Sequence, residues 1–355
     1  MERTKQPNQT KALVKQVKAK VNNTSVKQKK EYEGNTEIMV STGSTLLDLA
    51  ISGGRIRGGG TPSGILIEVF GPSQAGKTVM LCEMAGDVQR KGGSIMFRDP
   101  EARLNKQFAQ MFDLDTSLMD YGTPNTIPEL FKAVRDWKID KAKINGVFAD
   151  SLAALSTDME MDNDEGDKMG MRRAKEFSEE LRRTCRIIKE NNLLMVASNQ
   201  VRQNMDAGKY DVKYSSPGGM GIGFYSSLRL RASNPSKIPL VKKIAGKEVT
   251  RIIGVETKFE VFKSSIWKPF HSAIVPILFD YGVDNTRGNL QFIKDNTGNK
   301  VYTINGRELS NSMEKSIRII EEEILEKELE NQVINLWEEL ESAFDSNRIK
   351  KRRVW

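Results

Sequence analysis

Apolar residues along this chain fall into short continuous runs separated by stretches of helical spacing. Residues 65–70, Ile-Leu-Ile-Glu-Val-Phe, form a nearly unbroken apolar run closed by Gly71-Pro72, and read as a buried strand. Residues 79–91 then predict a helix, 94–99 a strand, 128–138 a helix, 144–150 a buried strand, 171–191 a helix and 193–198 another strand. Strands that alternate with helices imply a parallel sheet with helices on its faces, because a parallel pair needs a crossover.

Further on the pattern changes. Segments 226–232, 249–263 and 272–280 alternate apolar and polar residues, as antiparallel strands do. From about residue 285 turn-rich short strands lead into one long helix. Its apolar stripe is Ile317, Ile320, Ile324, Leu329, Val333, Leu336, Leu340 and Phe344. The expected organisation is a basic arm (1–36), an α/β core with a mostly parallel twisted sheet (37–284), a small α+β domain (285–345) and a basic tail (346–355). Within the arm, Leu13, Val14, Val17 and Val21 give a weak amphipathic stripe.

Composition narrows the function classes. With 38% hydrophobic and 29% charged residues, the chain of 355 residues is neither disordered nor fibrous. No apolar run is long enough to span a membrane, and the polar, basic N-terminus predicts no leader peptide. Cys82 and Cys185 alone make no disulfide framework, so a reducing cytosol is expected. A single histidine, His271, argues against a Ser-His-Asp triad or a multi-histidine metal site, and leaves a carboxylate as the expected general base. The net charge is +8, and residues 1–30 hold nine Lys/Arg against Glu2 alone; subtracting these from totals of 55 and 47 leaves 46 basic and 46 acidic residues. A neutral body with basic ends points to a polyanionic partner or a self-assembly contact, and a solubilising tail is the plainer alternative.

One motif carries specific chemistry. Gly71, Pro72, Ser73, Gln74, Ala75, Gly76, Lys77 and Thr78 match the phosphate-binding loop, after an apolar strand and before a helix. Its glycines let backbone N–H groups converge on phosphate, Lys77 adds a point charge, and Thr78 can ligate Mg²⁺. Asp150 ends an apolar strand, where such folds place the second Mg²⁺ contact; capping the next helix is its alternative role. Glu101 and its rival Asp99 follow the neighbouring strand, within reach of an attacking water.

Together these stretches resemble the RecA recombinases. The resemblance is carried by Ser41-Thr42-Gly43-Ser44 with Leu47-Asp48, the loop itself, Phe97-x-Asp99-x-Glu101, the run from Asp150 to Leu155, and Asn199-Gln200-Val201-Arg202. It spans about residues 37–280 and weakens beyond 285. It implies a RecA-like ATPase fold binding ATP and Mg²⁺, with Glu101 activating water and Gln200 sensing the γ-phosphate. It further implies Phe108 and Asn105 against the base, although Phe108 taken alone reads as a core aromatic. The arm is similar to the segment by which family members contact the next subunit of a filament.

The resemblance also implies two single-stranded DNA loops. The first, about 160–170, ends at Met169-Gly170 before Arg172 and Arg173; the second runs from Arg202 to Gly218-Gly219. Arginines and glycine N–H groups suit backbone contacts, and Met169 suits insertion between bases. The family's Lys-x-Lys pair, which reaches a neighbour's ATP, is here Lys263-Ser264-Ser265, with Lys268 nearby. The expected protein is therefore a DNA-dependent ATPase that forms helical filaments on single-stranded DNA and pairs it with homologous duplex. It would work in the cytoplasm of a prokaryotic or phage-infected cell. A hexameric ring motor and a filament with little turnover are the alternatives.

Overall fold

The computed structural model describes residues 38–104, 106–112, 114–140, 143–158, 169–203, 214–215 and 219–346. The basic arm, Asn105, most of the first DNA loop, Gly218 and the basic tail from residue 347 lie outside the described residues.

The strands are β1 (Ile65–Gly71), β2 (Ile95–Arg98), β3 (Met119–Gly122), β4 (Asn145–Ala149), β5 (Leu193–Gln200), β6 (Leu228–Ala232), β7 (Ser236–Ile244), β8 (Lys247–Ser264), β9 (Ser272–Leu278) and β10 (Gly282–Val283). They form one sheet in the order β10-β9-β8-β6-β1-β5-β4-β2-β3, and β7 pairs with β8 off this path. From β6 to β3 every pairing is parallel, whereas β8, β9 and β10 continue it antiparallel. The expected α/β architecture is what the chain adopts. β3 and β7 are absent from the sequence reading, because both are edge or protruding strands with exposed side chains and no buried run to mark them.

Helices α1 (Lys77–Arg90), α2 (Ile127–Asp136), α3 (Met169–Glu190) and α4 (Gly219–Tyr225) cover the sheet. On one face Met80, Leu81, Met84 and Val88 of α1 share a core with Ile67, Val69, Phe97 and Phe259. On the other, Leu130, Phe131, Phe177 and Leu181 of α2 and α3 pack with Leu66, Val147 and Met195. β1 is buried on both sides, which is why its sequence is continuous rather than alternating. α2 begins with a capping box in which Thr126 and Glu129 bond each other's backbone N–H groups.

The C-terminal helices are α5 (Asn285–Thr297), α6 (Met313–Glu322) and α7 (Glu326–Ala343). The long helix expected there is two helices. The chain breaks at Ile324, where φ is +57°, and Leu325, four residues before Leu329, starts the next apolar stripe. Ile324 and Phe344 are each 84% exposed, so neither belongs to the buried stripe. Leu290, Ile293, Ile320, Leu329, Val333 and Trp337 pack with Leu49, which joins these helices to the core.

Near that joint, the carboxylate of Asp48 accepts from Ser41 Oγ at 2.5 Å, Thr42 N at 2.8 Å and Thr42 Oγ1 at 2.7 Å. Burial outweighs these bonds and pushes its pKa up to about 7. The folded chain then holds this proton more tightly than the unfolded chain, so stability is highest below about pH 4 for this group and falls as pH rises to about 7. Asp48→Asn, neutral throughout, should flatten the pH dependence of the thermal midpoint between about pH 4 and 7. Equal slopes in both proteins would show that Asp48 is ionised in the fold at all these values.

Candidate nucleotide site

The parallel strands end at one edge of the sheet, and their ends carry the candidate residues. Gly71 closes β1 and Gln200 closes β5, and the two stand opposite each other in the register. The loop between β1 and α1 turns at Gly76, whose φ is +75° and whose missing Cβ would sit 2.2 Å from Ile277 Cδ1. A side chain there would strain the backbone, whatever the space, and would also displace the tip of the Ile277 side chain, so the position favours glycine. A Cβ on Gly71 would lie 2.4 Å from the Ala232 carbonyl oxygen, so β1 and the end of β6 approach closely only because this residue has none.

Lys77 opens α1 and is buried; its Nζ donates to the carbonyls of Gly71 at 3.1 Å and Pro72 at 2.6 Å. Burial lowers the pKa of its ammonium, and the carboxylates of Asp150 and Glu101 pull it back up. Thr78 Oγ1 donates to Asp150 Oδ2 at 2.5 Å. Ser198, on β5, donates its hydroxyl to the other oxygen of Asp150. Burial raises the Asp150 pKa, the two hydroxyls oppose that, and Asp99 and Glu101 add repulsion.

Asp99 and Glu101 have different surroundings. Asp99, 2% exposed, accepts from Leu104 N at 2.8 Å and the Tyr121 hydroxyl at 3.1 Å, which holds the turn after β2. Glu101 lies beside Asp150, where Ser151 Oγ donates to its Oε1 at 3.2 Å and Arg103 pairs with its Oε2 at 2.5 Å. One carboxylate is fixed by backbone; the other is held by side chains that can move.

Other expected residues are placed as follows. Phe108 packs edge-on against Phe112, with ring centroids 5.0 Å apart, at the margin of the core. Met169 and Gly170 open α3, and Arg172 is exposed. Arg173 donates to the carbonyls of Leu152 at 3.0 Å and Ala153 at 2.6 Å, so it braces the turn after Asp150. Arg202 pairs with Ser215 in a short antiparallel ribbon, and Gly219 opens α4.

Lys263, on β8, donates to the carbonyls of Gly223 and Phe224 at 2.9 Å each and so closes the end of α4. Its pKa is lowered by burial and by the neighbouring Arg229, against Glu68. Ser265 Oγ donates to the Ser227 carbonyl at 3.0 Å. Lys268 lies 3.4 Å from Asp345 and 3.9 Å from Glu341, and stacks over Trp267, so it fastens α7 to the core.

Sequence reasoning passed over Ser198, Glu68 and Arg229, and it quoted Ser151 and Asn199 within motifs without giving either a partner. Glu68 accepts from Asn199 Nδ2 at 3.0 Å and Arg229 Nε at 2.6 Å. For Ser198 a signal existed: strand periodicity of two puts it on the same side of β5 as Gln200. The trio spans three strands distant in sequence, and nothing local announces it.

The donor set suits a nucleotide with Mg²⁺. A threonine hydroxyl against one carboxylate is a donor pair of the hard oxygen kind that Mg²⁺ takes when phosphates and water complete its shell. No helix among the described residues is long and apolar enough to cross a membrane.

Comparison with known proteins agrees. The family model for the RecA N-terminal domain matches residues 8–284. Protein RecA of Delftia acidovorans is 30% identical over 305 residues, covering 83% of this chain and 78% of the relative. Protein RecA of Acinetobacter baylyi is 31% identical over 293 residues, 80% of this chain and 78% of the relative. Protein RecA of Lactobacillus delbrueckii is 27% identical over 325 residues, with 89% and 84% covered. Among solved structures, the crystal structure of the RadB recombinase aligns at a TM-score of 0.47 and 19% identity, covering 69% of this chain and 98% of that one. With a phosphate-binding loop ordered between β1 and α1, and the family model spanning most of its length, the chain belongs to the RecA family.

Proposed function

We propose that the chain is a DNA-dependent ATPase of the recombinase type, which assembles as a helical filament on single-stranded DNA and pairs that strand with homologous duplex. The observation that carries this reading is the grouping of Lys77, Thr78, Asp150 and Glu101 at the strand ends, with Gln200 directly opposite Gly71. Lys77 exchanges its two loop carbonyls for phosphate oxygens. Thr78 and Asp150 are the residues that would hold Mg²⁺, whose charge would offset that of the nucleotide's phosphates. Glu101 polarises the attacking water, and Gln200 reads the γ-phosphate and passes its presence to the segment after β5. Lys263 stabilises developing charge on the neighbouring subunit's nucleotide after leaving its place at the end of α4.

Single-stranded DNA is held through phosphates by Arg172, Arg202 and the N–H groups at Gly218-Gly219, with Met169, beside Gly170, inserted between bases. Arg173 joins them only by giving up its two carbonyls. The second reading, a filament that binds ATP and DNA with little turnover, has one observation in its favour. Ser265 replaces the family's second lysine and bonds Ser227, while Lys268 is paired to α7.

Lys77→Ala should weaken ATP binding, and Glu101→Gln should keep binding and assembly while turnover falls at least 100-fold. Calorimetric ATP binding and phosphate release, with and without single-stranded DNA, check both. Wild-type turnover in Glu101→Gln would remove Glu101 from the role. Wild-type protein that binds both ligands without turnover would establish the second reading instead.

The trans role of Lys263 is tested by mixing. Lys263→Ala subunits retain Lys77 and Glu101, and Glu101→Gln subunits retain Lys263, so co-assembled filaments should recover partial ATPase activity that neither variant has alone. Absence of recovery in confirmed mixed filaments would place the action of Lys263 within its own subunit.

A further inference from the structure

Three charged side chains form a row across the middle of the sheet. Glu68 on β1 stands opposite Arg229 on β6, and Arg229 stands opposite Lys263 on β8. Two cations therefore sit side by side with one carboxylate beyond them. Like charges directly opposite across an antiparallel pair repel each other, so the two cannot both be settled by that carboxylate. Which cation takes it decides what the other is able to do.

The carboxylate goes to Arg229. Glu68 is fully buried and both its oxygens are engaged: Oε2 accepts from Arg229 Nε at 2.6 Å, and Oε1 from Asn199 Nδ2 at 3.0 Å. The guanidinium is also seated by its surroundings. It lies 4.5 Å from the ring centroid of Phe70 and 5.4 Å from that of Phe262. Ladder pairing of β6 with β8 skips Phe262, a bulge that re-aims side chains locally, and the Phe262 ring meets Phe70 edge-on at 5.5 Å. Above it, a Cβ on Gly223 would come within 2.9 Å of Arg229 Nη1, so the glycine leaves the guanidinium its room.

Lys263 is left with weaker bonds. It forms no ion pair among the described residues, and its ammonium donates to two neutral carbonyls, those of Gly223 and Phe224, at 2.9 Å each. Such bonds exchange for bonds to phosphate more easily than a buried ion pair breaks, because breaking the pair strands an uncompensated charge. After burial, Arg229 is the main influence against the charged form of Lys263, and Glu68 favours that form. Without the guanidinium the lysine would have a better partner at hand. Two strand spacings, about 10 Å, separate β8 from β1, and the extended stems of a lysine and a glutamate together span that distance.

We propose that Arg229 is a positioning residue for Lys263: by occupying Glu68 it denies that carboxylate to the lysine, and leaves the ammonium able to cross to the neighbouring subunit's nucleotide. The inference rests on the reading of Lys263 as a residue that acts in trans, and names the device in its own subunit that keeps it available.

The test measures phosphate release and ATP affinity in full-length protein on single-stranded DNA, with thermal unfolding to check that each variant is folded. Arg229→Met leaves Glu68 to capture Lys263, so turnover should fall at least about tenfold while ATP affinity stays within about twofold of wild type. Glu68→Gln breaks the same ion pair but removes the trap, so its turnover should stay within about threefold of wild type. The double variant, Glu68→Gln with Arg229→Met, should regain what Arg229→Met loses, and Arg229→Lys, which still pairs with Glu68, should keep most turnover. A pair that served stability alone would give equal losses in both single variants, and that result overturns the proposal. So does wild-type turnover in Arg229→Met. Should Arg229→Met not fold, the double variant decides: turnover below about a tenth of wild type in the folded double variant overturns the proposal.

Mixing locates the defect. Arg229→Met subunits keep their own Lys77 and Glu101, so filaments mixed with Glu101→Gln subunits should recover partial activity, as mixtures with Lys263→Ala do. Recovery with Lys263→Ala but none with Arg229→Met would defeat this proposal alone. No recovery with either would defeat the trans reading of Lys263, and the proposal with it.

Discussion

The site depends on one carboxylate shared by three strand ends. Asp150 follows β4, receives the hydroxyl of Thr78 from the first turn of α1, which the loop after β1 leads into, and receives the hydroxyl of Ser198 from β5. Hydrogen bonds to a charged group contribute roughly 1.5–3 kcal/mol each, and leaving such a group buried without them costs more. Burial already pushes the Asp150 proton affinity up, with Asp99 and Glu101 adding to it. The two hydroxyls fix the carboxylate in place. Because β1, β4 and β5 run parallel, their ends fall at one edge, and the register sets Gly71 beside Gln200. Slipping that register by one residue would turn Ser198 and Gln200 to the opposite face of the sheet.

A second network lies deeper in the same strands. Glu68, fully buried on β1, bonds Asn199, the neighbour of Gln200, and Arg229 on β6. Arg229 stands opposite Lys263 in the register, and its guanidinium lies 4.5 Å from the Phe70 ring centroid. The strand bearing the expected phosphate sensor is thus tied, through Glu68 on β1, to β6, which pairs with the strand bearing the expected trans lysine. Removing one partner of an ion pair so buried is costly.

What the sequence revealed was what is local. The phosphate-binding loop is eight consecutive residues, and β1, β4 and β5 are runs of apolar side chains, so motif and burial are both written along the chain. The roles of Arg173 and Lys268 were not readable, because their partners, the Leu152 and Ala153 carbonyls and Asp345, are set by tertiary packing. Strand β7 escaped for the opposite reason. It pairs only with β8, off the main path of the sheet, and its side chains are mostly exposed, so burial imposes no alternation on it. The helix break at Ile324 was not readable, because Ile320 with Ile324 and Leu325 with Leu329 both keep a spacing of four across it.

The central claim is that γ-phosphate recognition at Gly71–Thr78 reaches DNA through Gln200. The most direct measurement is single-stranded DNA affinity in ADP and in a non-hydrolysable ATP analogue, for wild type and Gln200→Ala. The account predicts at least tenfold tighter binding by wild type with the analogue, and no difference between the nucleotides in the variant, with analogue binding itself preserved. A variant that keeps the full difference would contradict it.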